Sequence, residues 1–188
     1  MLSPDAPTRT VPDTEFEIAI HKGDHAIRLM LLLTREAALR SATAYNLTPR
    51  NIVGPNIVTV TKNHGAVCIP MSPRIAALVA LAIIDCPATT PLMCQLGLRD
   101  HADMRNALRH RLHVLQERHG LGDWSWHDLR RTAAQRLYQA TGSLNAVQRL
   151  LGHTSLMSTL HYLNAKIAPI SAGHIAQLSP ISGGESEN

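Results

Sequence analysis

The stretch LGHTSLMSTLHY, residues 151–162, sets His153 directly behind a glycine and Tyr162 nine positions further on. Upstream, His127 and Arg130 stand three residues apart, about one helical turn, and so share a face. These four side chains combine a permanent cation, two groups that exchange protons near neutrality, and a phenol whose oxygen is a nucleophile once deprotonated. Singly, each has an ordinary structural role. A tyrosine near a helix end packs, a histidine behind a glycine caps, and a His–Arg pair decorates a surface. Only as an ordered set do they suggest covalent chemistry.

The surrounding pattern specifies the elements that must hold them. A helix is predicted over roughly 127–139, with Leu129, Ala133, Leu137 and Ala140 inward. Gly142 breaks it, Ser143 caps the next helix, and Val147, Leu150 and Leu151 form that helix's inner face. Gly152 ends it, and Thr154 is expected to cap a last short helix carrying Tyr162. Further upstream, 99–119 reads as a long helix with an inner stripe of Met104, Leu108, Leu112 and Leu115. His101, Arg105, Arg109 and His113 recur every four residues on another face, a rail suited to a phosphate backbone or an ordinary solvated face. Ser72-Pro73 signals the start of a helix ending near Cys86. The β-rich runs 57–61 and 66–70 flank Asn63-His64-Gly65 as a hairpin. One helix is expected over 25–45, an aperiodic arm over 1–24, and a tail after 166 without helical period.

Composition narrows the class. The chain has 188 residues, 45% of them hydrophobic, enough for one domain with its own core. Its apolar runs, LMLLL at 29–33 and IAALVALAII at 75–84, fall far short of the ~20 residues a membrane span requires. No signal peptide is apparent. Cys68, Cys86 and Cys94 are odd in number and lack metal-type spacing, so free thiols in a cytoplasmic setting are expected. Lysine plus arginine number 18 against 14 acids; Lys22, Lys62 and Lys166 are the only lysines, so 15 are arginines. Arginine meets phosphate with a two-pronged donor face. The net charge of +4 permits a nucleic-acid partner without requiring one.

Over 124–164 the chain resembles the tyrosine recombinase (phage integrase) family. That family's pattern is His-x-x-Arg, then Leu-Gly-His, then a tyrosine after eight further residues. Here those are HDLR at 127–130, LGH at 151–153, and Tyr162. LRRT is similar to the usual LRHT, and AVQRLLGH to VQELLGH. Upstream, LLLTREAALRSATAYNLTPRNI resembles the first arginine box, with Arg40 in the arginine's place and Leu47 and Ile52 in the following apolar places. Arg35 competes for that role, but the spacing to Leu47 and Ile52 favours Arg40. Lys62 falls where the family's hairpin lysine falls. The resemblance, which covers about 25–165, implies a mainly α (α+β) fold in which a multi-helix catalytic domain carries a small three-stranded antiparallel sheet. It divides the chain into an arm at 1–24, a catalytic domain at 25–166 and a tail at 167–188.

The chemistry implied is metal-free cleavage and rejoining of DNA, with no cofactor. A phosphodiester gathers negative charge as it is attacked, so several fixed donors must surround it. Arg40 and Arg130 can grip its oxygens, and His153 can donate to another. Tyr162 attacks, His127 accepts its proton, and Lys62 protonates the leaving 5′ oxygen. Nearby cations are expected to favour the phenolate. The product would be a 3′-phosphotyrosyl link that a second 5′ hydroxyl can reverse without ATP. Arg105, Arg109 and Arg131 are the expected DNA contacts. Double-stranded DNA is the expected partner, with self-association to a tetramer on DNA and an accessory clamp protein as further partners.

The sequence also departs from the family pattern. Ala38 replaces the glycine two residues before the first arginine, Thr43 replaces the acid three residues after it, and Arg131 replaces a common histidine. Few residues precede the catalytic boxes, where most members have a DNA-clasping helical domain. Two other functions fit parts of the pattern. The helix–turn–helix rhythm of ATGSLNAVQRLLGH suits a non-catalytic DNA-binding module. The nucleophile alone suits a type IB topoisomerase-like nicking activity.

Overall fold

A computed structural model of the chain describes residues 10–60, 65–98 and 104–163. At its centre lies helix α2, His25–Arg35. Asp24 caps it, its carboxylate accepting from the Ile27 amide. Leu29 through Leu33 are all buried, so the LMLLL run is a helix apolar on every side because helices surround it. Each such leucine contributes roughly 1.5–3 kcal/mol on burial.

Helix α1, Asp13–Lys22, packs on α2. It differs from the aperiodic arm expected over 1–24. Its apolar face is narrow, with only Phe16 and Ala19 buried, and polar contacts do much of the fastening. Asp13 pairs with both Arg35 and Arg136. Glu15 accepts from the Gly122 amide and the Trp124 indole, and Glu17 pairs with Arg74. The Val11 amide donates to the hydroxyl of Thr132.

The single helix expected over 25–45 is two. After α2 the chain turns through Ala38, whose φ of 48° is left-handed, and resumes as α3, Ser41–Tyr45. A 3-10 turn at Pro49–Asn51 leads into a three-stranded antiparallel sheet of order β1-β2-β3: β1 Ile52–Val53, β2 Asn56–Val60 and β3 Ala66–Pro70. Ile57 pairs with Ile69 and Thr59 with Val67; Ile57, Thr59 and Ile69 point inward. The expected hairpin is therefore present, and its tip, 61–64, lies outside the described residues.

Helix α4, Pro73–Ile83, begins at the Ser72 cap as expected, and a short α5, Leu92–Gln95, follows. Helix α6 spans Met104–His119 with the expected stripe of Met104, Leu108, Leu112 and Leu115 buried. Helix α7, Trp126–Thr141, starts on a capping box between Ser125 and Asp128 and ends at left-handed Gly142. Ser143 caps α8, Leu144–Leu151, and Gly152, also left-handed, ends it. Helix α9 spans Leu156–Leu163. A second core joins Ala38, Ala133, Ala134, Val147, Leu151 and Leu163, with Tyr162 packed against it. No described helix is long and apolar enough to cross a membrane.

Candidate active site

Arg130 extends from the first turns of α7 and is only 5% exposed. Its Nη1 donates to the carbonyl oxygen of Ala38, and its Nη2 donates to that of Leu151 at 2.7 Å. One guanidinium thus ties the turn before Arg40 to the end of α8, just ahead of His153. Two of its five N–H groups are taken by these carbonyls. Burial lowers its pKa to about 10, the tyrosine opposing and Arg40 reinforcing that shift, so it stays cationic near neutrality.

Tyr162 comes up from α9 into the same place. Its ring meets His127 edge-on at 5.2 Å between centroids and His153 edge-on at 5.5 Å. The guanidinium carbon of Arg131 lies 5.5 Å from the ring centroid. The tyrosine hydroxyl is buried and has no hydrogen-bond partner of good geometry. Arg130 acts on it both through its charge and through a hydrogen-bonding contact, although that guanidinium's terminal nitrogens aim chiefly at carbonyls. Burial raises the phenol above its ordinary value, against the opposing pull of Arg130, Arg131 and Arg40. The nearby cations do favour the anion, as expected, but in the DNA-free chain desolvation outweighs them.

The two histidines are both neutral at working pH. Burial, then Arg130 and Arg40, push His153 down to about 4. Its Nδ1 lies 3.2 Å from the hydroxyl of Thr159, itself 0% exposed. A neutral ring carries one N–H. The tautomer that carries this N–H on Nε2 is the one in which the Thr159 hydroxyl donates to Nδ1; in the other, Nδ1–H donates to the hydroxyl. His127 keeps an exposed edge, yet enough protein surrounds the ring that burial lowers its pKa, with Arg131 adding to the effect.

Arg40 is exposed at the N-cap of α3, its carbonyl accepting from the Ala44 amide, and its side chain has no hydrogen bond to a described residue. It borders a small cavity of about 20 Å³ that is also lined by Arg130, Thr43, Thr59, Leu151 and Gly152. Arg40, His127, Arg130, His153 and Tyr162 are therefore gathered at one place, and Arg131 joins them. Arg105 and Arg109 are exposed on α6 and act electrostatically on Tyr45, the last residue of α3. Lys62 lies outside the described residues, as does His101 of the expected rail. Among the described residues no cluster of His, Cys, Asp and Glu could hold a metal ion.

Two contributors escaped the sequence reading. Thr159 stands three residues before Tyr162, one turn of the same helix, and that spacing was a usable signal. The carbonyl acceptors of Ala38 and Leu151 carry no sequence signal, because every residue offers a carbonyl.

A family model described as "Phage integrase family" matches residues 16–168. No curated protein matches the chain by sequence. The fold is similar to the crystal structure of XerA recombinase at 15% identity and a TM-score of 0.67, covering 95% of this chain and 65% of that one. It is similar to XerH site-specific recombinase, bound to palindromic difH substrate in a post-cleavage complex, at 19% identity and a TM-score of 0.65. That match covers 85% of this chain and 50% of XerH. The catalytic domain of bacteriophage HP1 integrase matches at 14% identity and a TM-score of 0.58, covering 92% of this chain and 96% of that domain. The chain thus spans half of the XerH structure and 65% of the XerA structure.

Proposed function

The chain belongs to the phage integrase family, and from that premise we propose that it is a site-specific DNA recombinase that cuts and rejoins strands through Tyr162. The carrying observation is the position of that phenol. It lies in its own chain's site, edge-on to His127 and His153 and beside Arg130 and Arg131.

Arg40, Arg130 and the Nε2–H of His153 neutralise the non-bridging oxygens of the scissile phosphate. The phenol gives its proton to His127, which is neutral and therefore able to take it. The phenolate oxygen forms a bond to phosphorus as the bond to the 5′ oxygen breaks. The leaving oxygen takes a proton from Lys62. A 3′-phosphotyrosine and a free 5′ hydroxyl result, and attack by another strand's 5′ hydroxyl reverses the step. The phosphoester count is unchanged, so no nucleotide hydrolysis is required.

Arg105 and Arg109 hold backbone phosphates next to the site, and Arg131 borders the reacting centre. The catalytic unit includes α1, given the ion pairs that fasten it. Exchange between duplexes requires self-association on DNA, as a tetramer.

The test is covalent capture on a nicked duplex whose cleaved fragment diffuses away. The wild-type chain should give a denaturant-resistant protein–DNA adduct, and Tyr162→Phe should bind the duplex but give none. Binding without any wild-type adduct would leave a non-catalytic module. Relaxation of supercoiled plasmid without joined products would leave a topoisomerase-like enzyme.

A further inference from the structure

Arg131 is the site residue whose role the family pattern leaves open, since a histidine is common there and this chain has arginine. It follows Arg130 on α7 and is half-buried. Its guanidinium carbon lies 5.5 Å from the centroid of the Tyr162 ring, within the range at which a cation is attracted to an aromatic face. Its Nε is buried with no hydrogen-bond partner. Neither feature suits a side chain whose only task is to reach a phosphate from solvent. A buried donor without a partner is costly unless a ligand or a charge change during the reaction satisfies it.

We infer that Arg131 tunes the nucleophile: its guanidinium, held against the Tyr162 ring, stabilises the phenolate as the proton leaves. The inference rests on the proposed function, in which Tyr162 is the attacking group. A cation against the ring interacts more strongly with phenolate than with phenol, so the interaction grows as the reaction proceeds. It also works against protonation of His127, which Arg131 depresses after burial does. Charged and titratable groups facing the phenol are Arg130, Arg131 and His127 from α7, His153 from the turn after α8, and Arg40 from the N-cap of α3. Burial opposes ionisation of Tyr162, and Arg130, Arg131 and Arg40 favour it.

The first test uses the full chain without DNA. Tyrosine labelled at Cζ is followed by NMR as pH rises; the chain has three tyrosines, and Tyr162→Phe identifies the Tyr162 line. In Arg131→Met the Tyr162 titration should move to higher pH, and in Arg131→Lys, which keeps the charge, it should move less. An unchanged midpoint in Arg131→Met, with thermal melting showing a folded chain, overturns the inference. The second test uses nicked duplex at saturating concentration. Arg131→Met should form adduct roughly tenfold more slowly near neutrality, with the deficit closing as pH rises. A defect that saturating DNA abolishes, with an unchanged pH profile, would reduce Arg131 to a phosphate contact and overturn it. The titration is read without DNA. A shifted titration in Arg131→Met beside a wild-type chain that forms no adduct would therefore support the coupling while refuting the recombinase reading.

Discussion

Arg130 donates a hydrogen bond to the carbonyl oxygen of Ala38, a residue held in the left-handed region at φ 48°. The buried arginine on α7 and the turn that presents Arg40 are thus one unit. Ala38 stands where the family pattern has glycine, and alanine bears a steric cost there of about 1–2 kcal/mol. Its methyl group is fully buried in the second core, which offsets part of that cost. Ala38→Gly should therefore change stability by less than about 1 kcal/mol and leave cleavage intact. Ala38→Val, β-branched and without room, should lose more than about 2 kcal/mol and most of the cleavage rate. Thermal melts with single-turnover cleavage distinguish the two. A valine variant as stable as wild type would contradict the role given to this turn.

Arg130 joins two carbonyls as well as meeting the phosphate, and lysine has no fork with which to do both. Arg130→Lys should slow adduct formation by at least ~100-fold. It should also destabilise the fold by about 1–3 kcal/mol, because a buried carbonyl of Ala38 or Leu151 is left unpaired. Chemical denaturation and quenched cleavage time courses give both numbers. Lost cleavage at full stability would mean that the carbonyl ties contribute nothing to the fold.

Thr159 acts through His153. Thr159→Val removes the hydroxyl while keeping the shape, freeing the imidazole to put its proton on either nitrogen. Cleavage should fall by roughly tenfold in single-turnover rate with little change in DNA affinity. Thr159→Ser, which restores the hydroxyl, should recover most of it. If serine and valine behave alike, the hydroxyl is not orienting the ring.

His153 makes stability depend on acidity. In the unfolded chain it titrates near the ordinary histidine value of ~6.5; in the fold it titrates at about 4. Between those values the unfolded chain holds the extra proton, so acid favours unfolding. The contribution is complete above ~6.5 and is lost as pH falls toward the folded value, on the order of 2 kcal/mol after solvent screening. His127, also depressed, acts in the same direction. Urea unfolding across that window should show the slope, and His153→Gln should flatten it. Cleavage, by contrast, should not decline as pH rises through ~6.5, because neutral His153 is the working donor. A decline there would mean that the imidazolium is required.

The parts of the site legible in the sequence were those set by short-range spacing. His127 and Arg130 lie within one turn, and glycine and serine mark where α7 and α8 stop and start, which fixes His153 and then Tyr162. The break between α2 and α3 was not legible, because alanines at 37 and 38 favour continuing a helix; the turn is imposed by packing and by Arg130 from 92 residues away. Helix α1 was missed because its narrow apolar face leaves much of its attachment to ion pairs with distant arginines. The net direction at Tyr162 was not legible either, because charges can be counted in a sequence and burial cannot.

The most direct measurement is the identity of the atom that carries the DNA. The captured adduct is trimmed with nuclease, cut with trypsin and read by mass spectrometry. The 3′-phosphonucleotide is expected on Tyr162, within the peptide LLGHTSLMSTLHYLNAK. A nucleotide found on Tyr45, Tyr138 or a serine, or attached through a 5′ phosphate, would contradict the central claim.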